Sequence, residues 1–277
     1  MSYVGVHFVC EAHLGELLIA TLSIHSFDTF EETDHGFSAY CKELNFDLET
    51  IEAIVSQYLP MGSISYSCED IPRINWNEEW EKNYSPVMID DQIIVRAIFH
   101  PTQPLFPYEI IINPKMSFGT GHHSTTSLVL KMQLSFNHKK KKVYDFGSGT
   151  GVLAIMSHKL GASAIVATDI DDWCIENARE NFQLNNCPGI LMQGPIKSLS
   201  LTEPADIILA NINKNVLLAE LPEYAKLLSP EGHLILSGFY EQDIIELKEA
   251  AKKLALEFLE EETKNQWAVV VFKKAAW

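Results

Sequence analysis

The sequence predicts an α/β protein: a Rossmann-like, doubly wound sheet with an antiparallel last strand, preceded by a small α+β domain of ferredoxin-like type. Three observations carry that prediction. From Lys142 onward, short apolar runs alternate with helical stretches, the pattern of a parallel sheet covered on both faces. The last two runs, ALEFLEEETK and WAVVVFKK, have no helix between them, so one strand must run antiparallel to the rest. Before residue 66 the order is instead strand, helix, hairpin, helix, strand.

Taken in order, VGVHFVC alternates as a strand, and EAHLGELLIATLSI has helical spacing. FDTFEETDHGFSAYC reads as two strands around a turn at Asp34, His35 and Gly36. LETIEAIVSQYL and SISYSCED complete a first domain, residues 1–66, in which no motif carries chemistry. It is therefore expected to recognise the substrate. Residues 67–90 hold Pro72, Pro86 and NWNEEWEKNY, which reads as a helical linker. Trp76, Trp80 and Tyr84 share one face of it, as rings that pack against a domain. DQIIVRAIF and YEIIINP look like a hairpin opening the large domain, residues 91–277. The strands VYDFG, AIVATDI, ILMQGPI, ADIILANI and HLILSGF follow, separated by helices such as WCIENARENFQLN and NVLLAELPEYAKLL. A doubly wound sheet closed by a hairpin is the architecture of many class I methyltransferases.

Composition narrows the function. Nearly half the 277 residues are apolar, as in a globular chain. No run is long enough to cross a bilayer, and MSYVGVHFVC lacks the regions of a signal peptide. Five cysteines without a C-x-x-C fit a reduced, cytoplasmic chain. The net charge is −16, and residues 1–66 carry ten acids against Lys42 alone. Such a surface repels phosphate backbones, which disfavours direct nucleic-acid binding. It suits a basic protein partner, or simply keeps the chain soluble. The basic run HKKKKV reads as a solvated turn.

The chemistry concentrates after the first strand of the large sheet. In Asp145-Phe146-Gly147-Ser148-Gly149-Thr150-Gly151 the glycines are spaced by one residue, and Val152 stands where a dinucleotide fingerprint needs its third glycine. Asp169 ends the second strand, twenty residues after Gly149, where a carboxylate can accept hydrogen bonds from a ribose diol. The D-x-G-x-G-x-G spacing resembles the signature of S-adenosylmethionine-dependent methyltransferases. Asp145 could then orient the ammonium of that cofactor through the loop or water. Asn211 in LANINK falls at the carboxyl edge, beside the expected sulfonium, and is the catalytic candidate. It could also cap the following helix. The sequence has no N-P-P-Y, whose ring stacks on planar targets, so a flexible amine is the expected acceptor. Upstream, Ser124, Thr125 and Thr126 in FGTGHHSTTS can cap and open a helix facing a carboxylate. His122 and His123 are adjacent and point apart, so no metal is expected.

The stretches NWNEEWEKNYSPV, INPKMSFGTGHHSTTSLVL, VYDFGSGTGVLAI, TDID, LANI and LILSGF together resemble the ribosomal protein L-eleven methyltransferase family (PrmA), closely over residues 75–277. Residues 1–66 match only in length, element order and scraps such as FDTFEET. The resemblance implies transfer of methyl groups from S-adenosylmethionine to lysine ε-amines and the N-terminal α-amine of one basic ribosomal protein. It implies cofactor contacts at Thr126, Gly147, Asp169 and Asn211. His122, Ser124 and LANINK depart from the family pattern and loosen any statement about the substrate channel. A monomer without direct nucleic-acid or membrane contact is expected. The alternatives are methylation of another protein or a small-molecule amine, and a non-catalytic, cofactor-binding ribosome-assembly factor.

Overall fold

The computed structural model describes residues 3–71 and 76–276. They form two compact units, Met1–Asn83 and Tyr84–Trp277.

In the first unit, β1 (Tyr3–Cys10), α1 (Ala12–Leu22), β2 (Phe27–Thr33), β3 (Gly36–Lys42), α2 (Leu48–Tyr58) and β4 (Ile64–Ile71) precede the short helix α3 (Trp76–Asn83). The four strands pair antiparallel in the order β2-β3-β1-β4. Alternation decides which face is covered: Val4, Val6 and Phe8 of β1 point inward. Leu14, Leu18 and Leu22 recur every fourth residue of α1 and meet Ile51, Ile54 and Val55 of α2 over that face. Burying each such side chain contributes about 1.5–3 kcal/mol. Asp47 starts α2 by accepting from the amides of Glu49 and Thr50.

A boundary at residue 66 cuts through β4, which continues to Ile71 because its pairing with β1 does. The compact units divide at Asn83, inside the expected linker 67–90. Residues 72–75 and the side chain of Trp76 lie outside the described residues, and the expected row of three rings with them.

The second unit opens with β5 (Val87–Ile89), β6 (Ile93–Ala97) and β7 (Tyr108–Ile112), followed by α4 (Ser124–Gln133). The expected hairpin of the 91–99 and 108–114 segments is corrected here: β6 and β7 run parallel. The antiparallel partner of β6 is β5, across a tight turn in which Asp90 and Asp91 take φ of 46° and 52°. Aspartate tolerates that left-handed backbone better than most residues do.

The remaining elements follow in the order β8 (Lys142–Phe146), α5 (Val152–Lys159), β9 (Ala164–Asp169), α6 (Asp172–Leu184), β10 (Ile190–Gln193), β11 (Ala205–Asn211), α7 (Lys214–Leu227), β12 (Leu228–Tyr240), α8 (Ile244–Lys252), β13 (Leu256–Lys264) and β14 (Trp267–Lys274), with no α-helix between β10 and β11 or between β13 and β14. The sheet order is β10-β9-β8-β11-β12-β14-β13, and β14 runs antiparallel to both neighbours. This is the expected doubly wound sheet with its reversed last strand. Period-two alternation sends Ile207, Leu209, Ile235, Val269 and Val271 to one face. Ile208, Ala210, Leu234, Leu236, Val270 and Phe272 go to the other. Strand order reverses between β8 and β11, which opens a crevice beyond their carboxyl ends.

Candidate active site

The loop after β8 is shaped by two close approaches. Gly147 (φ 70°) lies against the side chain of Ile212, and Gly149 (φ 52°) against the carbonyl of Phe118. A Cβ at either position would collide with that neighbour. Only glycine combines that backbone with that clearance. Thr150 then ties the loop upstream, donating from its amide to Phe118 O at 2.9 Å and from Oγ1 to Gly119 O at 2.6 Å. The upstream segment hangs on three asparagines spaced four apart, two within α6 and one, Asn185, at its C-cap. Asn185 exchanges two hydrogen bonds with the Ile111 backbone, Asn181 accepts from the Asn113 amide at 2.7 Å, and Asn177 donates to the Asn113 carbonyl at 2.9 Å. Asn181 also donates to Thr150 O at 2.8 Å, joining both segments at one side chain.

Two carboxylates support the loop from below and beside. Asp145 is fully buried, and its Oδ2 accepts from the Ala154 amide in the first turn of α5. The N-cap residue of α5 is Gly151, which has no side chain to do this. Asp169, at the tip of β9, accepts from the Gly149 amide at 2.8 Å and from the Asp171 amide at 3.2 Å. Each of its oxygens keeps a lone pair for a further donor.

A cavity of about 600 Å³ opens at these strand ends, within the range of cofactor sites. Of the residues expected in a site, Gly147, Gly149, Asp169 and Asn211 line it. Asp145 and Thr126 do not: both are completely buried, one layer behind the wall. Asp145 faces α5 because strand alternation turns it away from the crevice. Thr126 sits inside α4, where its Oγ1 accepts from Asn211 Nδ2 at 3.3 Å. Asn211 Oδ1 is left without a partner although buried. The capping expectations are corrected too. His123 caps α4 by accepting from the Thr125 amide, and Ser124, Thr125 and Thr126 lie within the helix. Asn213, not Asn211, caps α7, because β11 and its pairing with β12 continue to Asn211.

On its other side the cavity has a wall of rings. Phe118 and His123 meet at 5.2 Å, His123 and Trp267 at 4.7 Å edge to face, and Trp267 stacks on Tyr240 at 4.2 Å. Trp267 begins β14, and because β14 runs backwards its first residue lies at the carboxyl edge, paired with Tyr240. His122 turns elsewhere, to Ser85 O and Thr120 Oγ1.

Comparison with known proteins settles the lineage. The family model described as ribosomal protein L11 methyltransferase (PrmA) matches residues 21–275. A ribosomal protein L11 methyltransferase of Phocaeicola vulgatus is 40% identical over 98% of this chain and 99% of its own length. One of Porphyromonas gingivalis is 44% identical over 93% of this chain and 90% of its own. The chain belongs to the ribosomal protein L11 methyltransferase family. The crystal structure of a ribosomal protein L11 methylase from Lactobacillus delbrueckii subsp. bulgaricus superposes with a TM-score of 0.65 at 27% identity, covering 69% of this chain and all of that one.

This member of the family is a class I methyltransferase whose donor is S-adenosylmethionine. The cavity fits such a donor on observations of its own: a loop that only glycine permits, a carboxylate with spare lone pairs at the tip of β9, and an orphaned buried amide oxygen opposite. Sequence reasoning missed the ring wall and the asparagine ladder. The ladder has a readable signal, Asn177, Asn181 and Asn185 at helical spacing, but nothing local says what it holds. Trp267 is far from every motif, and only the reversed strand brings it in.

Burial pushes the Asp145 carboxyl up to about 7, opposed by the Ala154 amide and helped by the nearby Asp169 charge. The folded chain therefore keeps a proton that the unfolded chain releases above about pH 4. Stability from this group is present below that pH and is lost as pH rises through about 7, by roughly 4 kcal/mol in all. The thermal midpoint of the donor-free chain should fall across that window. In Asp145→Asn, which cannot ionise, the fall should shrink; superimposable pH profiles for the two chains would refute this.

Proposed function

We propose that the chain methylates lysine ε-amino and N-terminal α-amino groups of ribosomal protein L11, the acceptor stated in its relatives' names. The observation that carries an amine acceptor is the unpartnered Oδ1 of Asn211, buried in the wall of the cavity within reach of the ring-lined side. An acceptor N–H would satisfy it.

S-adenosylmethionine, when bound, supplies an electrophilic methyl group on a sulfonium. The chain's own residues do the rest. Asp169 holds a ribose diol, and the Gly147–Gly149 backbone forms the wall the donor lies against. Phe118, His123 and Trp267 exclude water from the acceptor side. A free lysine has a pKa of about 10.4, so its nucleophilic form is scarce at neutral pH. Desolvation against the rings and a neighbouring positive charge lower that value. Asn211 then aligns the neutral amine by accepting one of its hydrogens, and the proton lost leaves to water. In-line positioning supplies the remaining advantage.

The first unit is the docking module in this reading. A recess of about 740 Å³ in it is edged by Glu11, Glu16, Glu32 and Asp34, which supports a basic protein segment as occupant. Among the described residues no helix is long and apolar enough to cross a membrane. In this reading the enzyme is a cytoplasmic monomer, and its acidic surface supports a protein partner over direct contact with nucleic acid.

Intact-mass spectrometry of purified ribosomal protein L11, after incubation with the enzyme and donor, tests the proposal. Stepwise methyl increments are expected, slowing as salt screens the acidic unit. Asn211→Ala should lower kcat by about 10–100-fold while binding S-adenosylhomocysteine within a few-fold of the parent. An unmodified acceptor, or full turnover by Asn211→Ala, would remove the reading or the role.

A further inference from the structure

Beside the glycine loop, three groups able to ligate a metal converge. Asp169 ends β9, Asp171 stands just before α6, and Cys174 lies in its first turn. Their carboxylate oxygens and the thiol sulfur all lie within 4.8 Å of one another. Asp171 occupies the N-cap position of α6 with the extended backbone of a cap, yet its side chain caps nothing. A capping aspartate contributes about 1 kcal/mol to a helix. Here the carboxylate is spent instead on a place beside a second carboxylate, where like charges repel.

A fourth group points the same way. The Ser117 hydroxyl is 4% exposed, lines the same cavity and has no hydrogen-bond partner outside the cluster, where the Cys174 thiol lies beside it. It comes from the segment that the α6 asparagines hold, against the same helix that carries Cys174. Two carboxylates, one thiol and a hydroxyl form a mixed oxygen and sulfur set. Magnesium and calcium avoid sulfur, whereas zinc and cadmium accept both. Tetrahedral zinc bonds of about 2.0–2.3 Å separate ligand atoms by roughly 3.5 Å. A cluster no wider than 4.8 Å reaches that separation by side-chain rotation.

We propose that Asp169, Asp171 and Cys174, with Ser117 or water completing the set, bind a thiophilic divalent cation, and that this cation and the methyl donor exclude one another. Binding displaces the thiol proton to solvent and leaves a thiolate on the metal. Exclusion rests on the proposed function, because it requires Asp169 to hold the donor's ribose. The cation would thus be an inhibitor acting from within the donor site, with no part in the transfer.

The test is cadmium titration of the full-length chain, followed through the ultraviolet sulfur-to-cadmium charge-transfer band. One equivalent is expected to bind. Cys174→Ser, nearly isosteric, should lose the band, and Asp171→Asn should weaken binding at least tenfold. A band that survives in Cys174→Ser places the metal on another thiol and overturns the proposal, as does the absence of any band. Saturating S-adenosylhomocysteine should suppress the band. If S-adenosylhomocysteine binds and the band forms undiminished, the exclusion is wrong. If S-adenosylhomocysteine fails to bind at all while cadmium still does, the proposed function fails and the metal site stands.

Discussion

Asp169→Asn is expected to weaken S-adenosylhomocysteine binding by about two orders of magnitude and to abolish methyl transfer at ordinary donor concentrations. The side chain holds two amides, those of Gly149 and Asp171, at 2.8 and 3.2 Å. It does so while offering its remaining lone pairs to the cavity. Asparagine has one acceptor oxygen in place of two and no charge. It can keep Gly149 or receive a hydroxyl, but its NH₂ faces a donor on the other side. A hydrogen bond to a charged group is worth about 1.5–3 kcal/mol, and leaving a buried donor unmet costs about as much again. Three kcal/mol corresponds to roughly a hundredfold in affinity. Titration calorimetry reads it directly. An affinity within threefold of the parent would show that this carboxylate does not hold the donor.

Gly149→Ala should be nearly as damaging, by another route. The residue sits at φ 52°, and a Cβ there runs into the Phe118 carbonyl. The left-handed backbone costs alanine about 1 kcal/mol. The collision costs more, because the Phe118 carbonyl is held by the Thr150 amide. Relief requires the loop and the FGTG segment to part, breaking the hydrogen bonds that join them. A loss on the order of 3 kcal/mol is expected. For a unit of this size that lowers Tm by about 6–12 °C. Differential scanning calorimetry of the full chain checks it, and an unchanged midpoint with unchanged donor affinity would refute the close approach.

The sheet was legible because its central strands β8, β9, β11 and β12 are apolar on both faces and each is followed by a helical period. The reversed β14 was legible because no helix separates it from β13. The β5–β6–β7 sheet was not. The run 91–99 pairs with two partners, and the sequence shows only that two apolar runs are neighbours, not their relative direction. At the site, the glycine loop and Asp169 announce themselves by position after strands. The depth of a residue is harder to read. Asp145 and Thr126 belong to the same motifs as the wall residues, but alternation and helix phase turn them inward. Asn211 and Asn213 are two residues apart, and which one caps α7 depends on how far β11 stays paired. That is a tertiary fact, decided by β12.

The position of β14 has a consequence for how the protein is made. Every hydrogen-bonded pairing of the first sheet joins strands that end by Ile71, so that unit can fold while most of the chain is still being synthesised. The larger sheet cannot close in the same progressive way. Its last-made strand slots between β12 and β13, and that strand carries Trp267 to the cavity rim. A nascent chain therefore presents a folded acidic module long before it has a complete acceptor wall. The ring that Trp267 adds to the cavity rim arrives only when β14 pairs with β12.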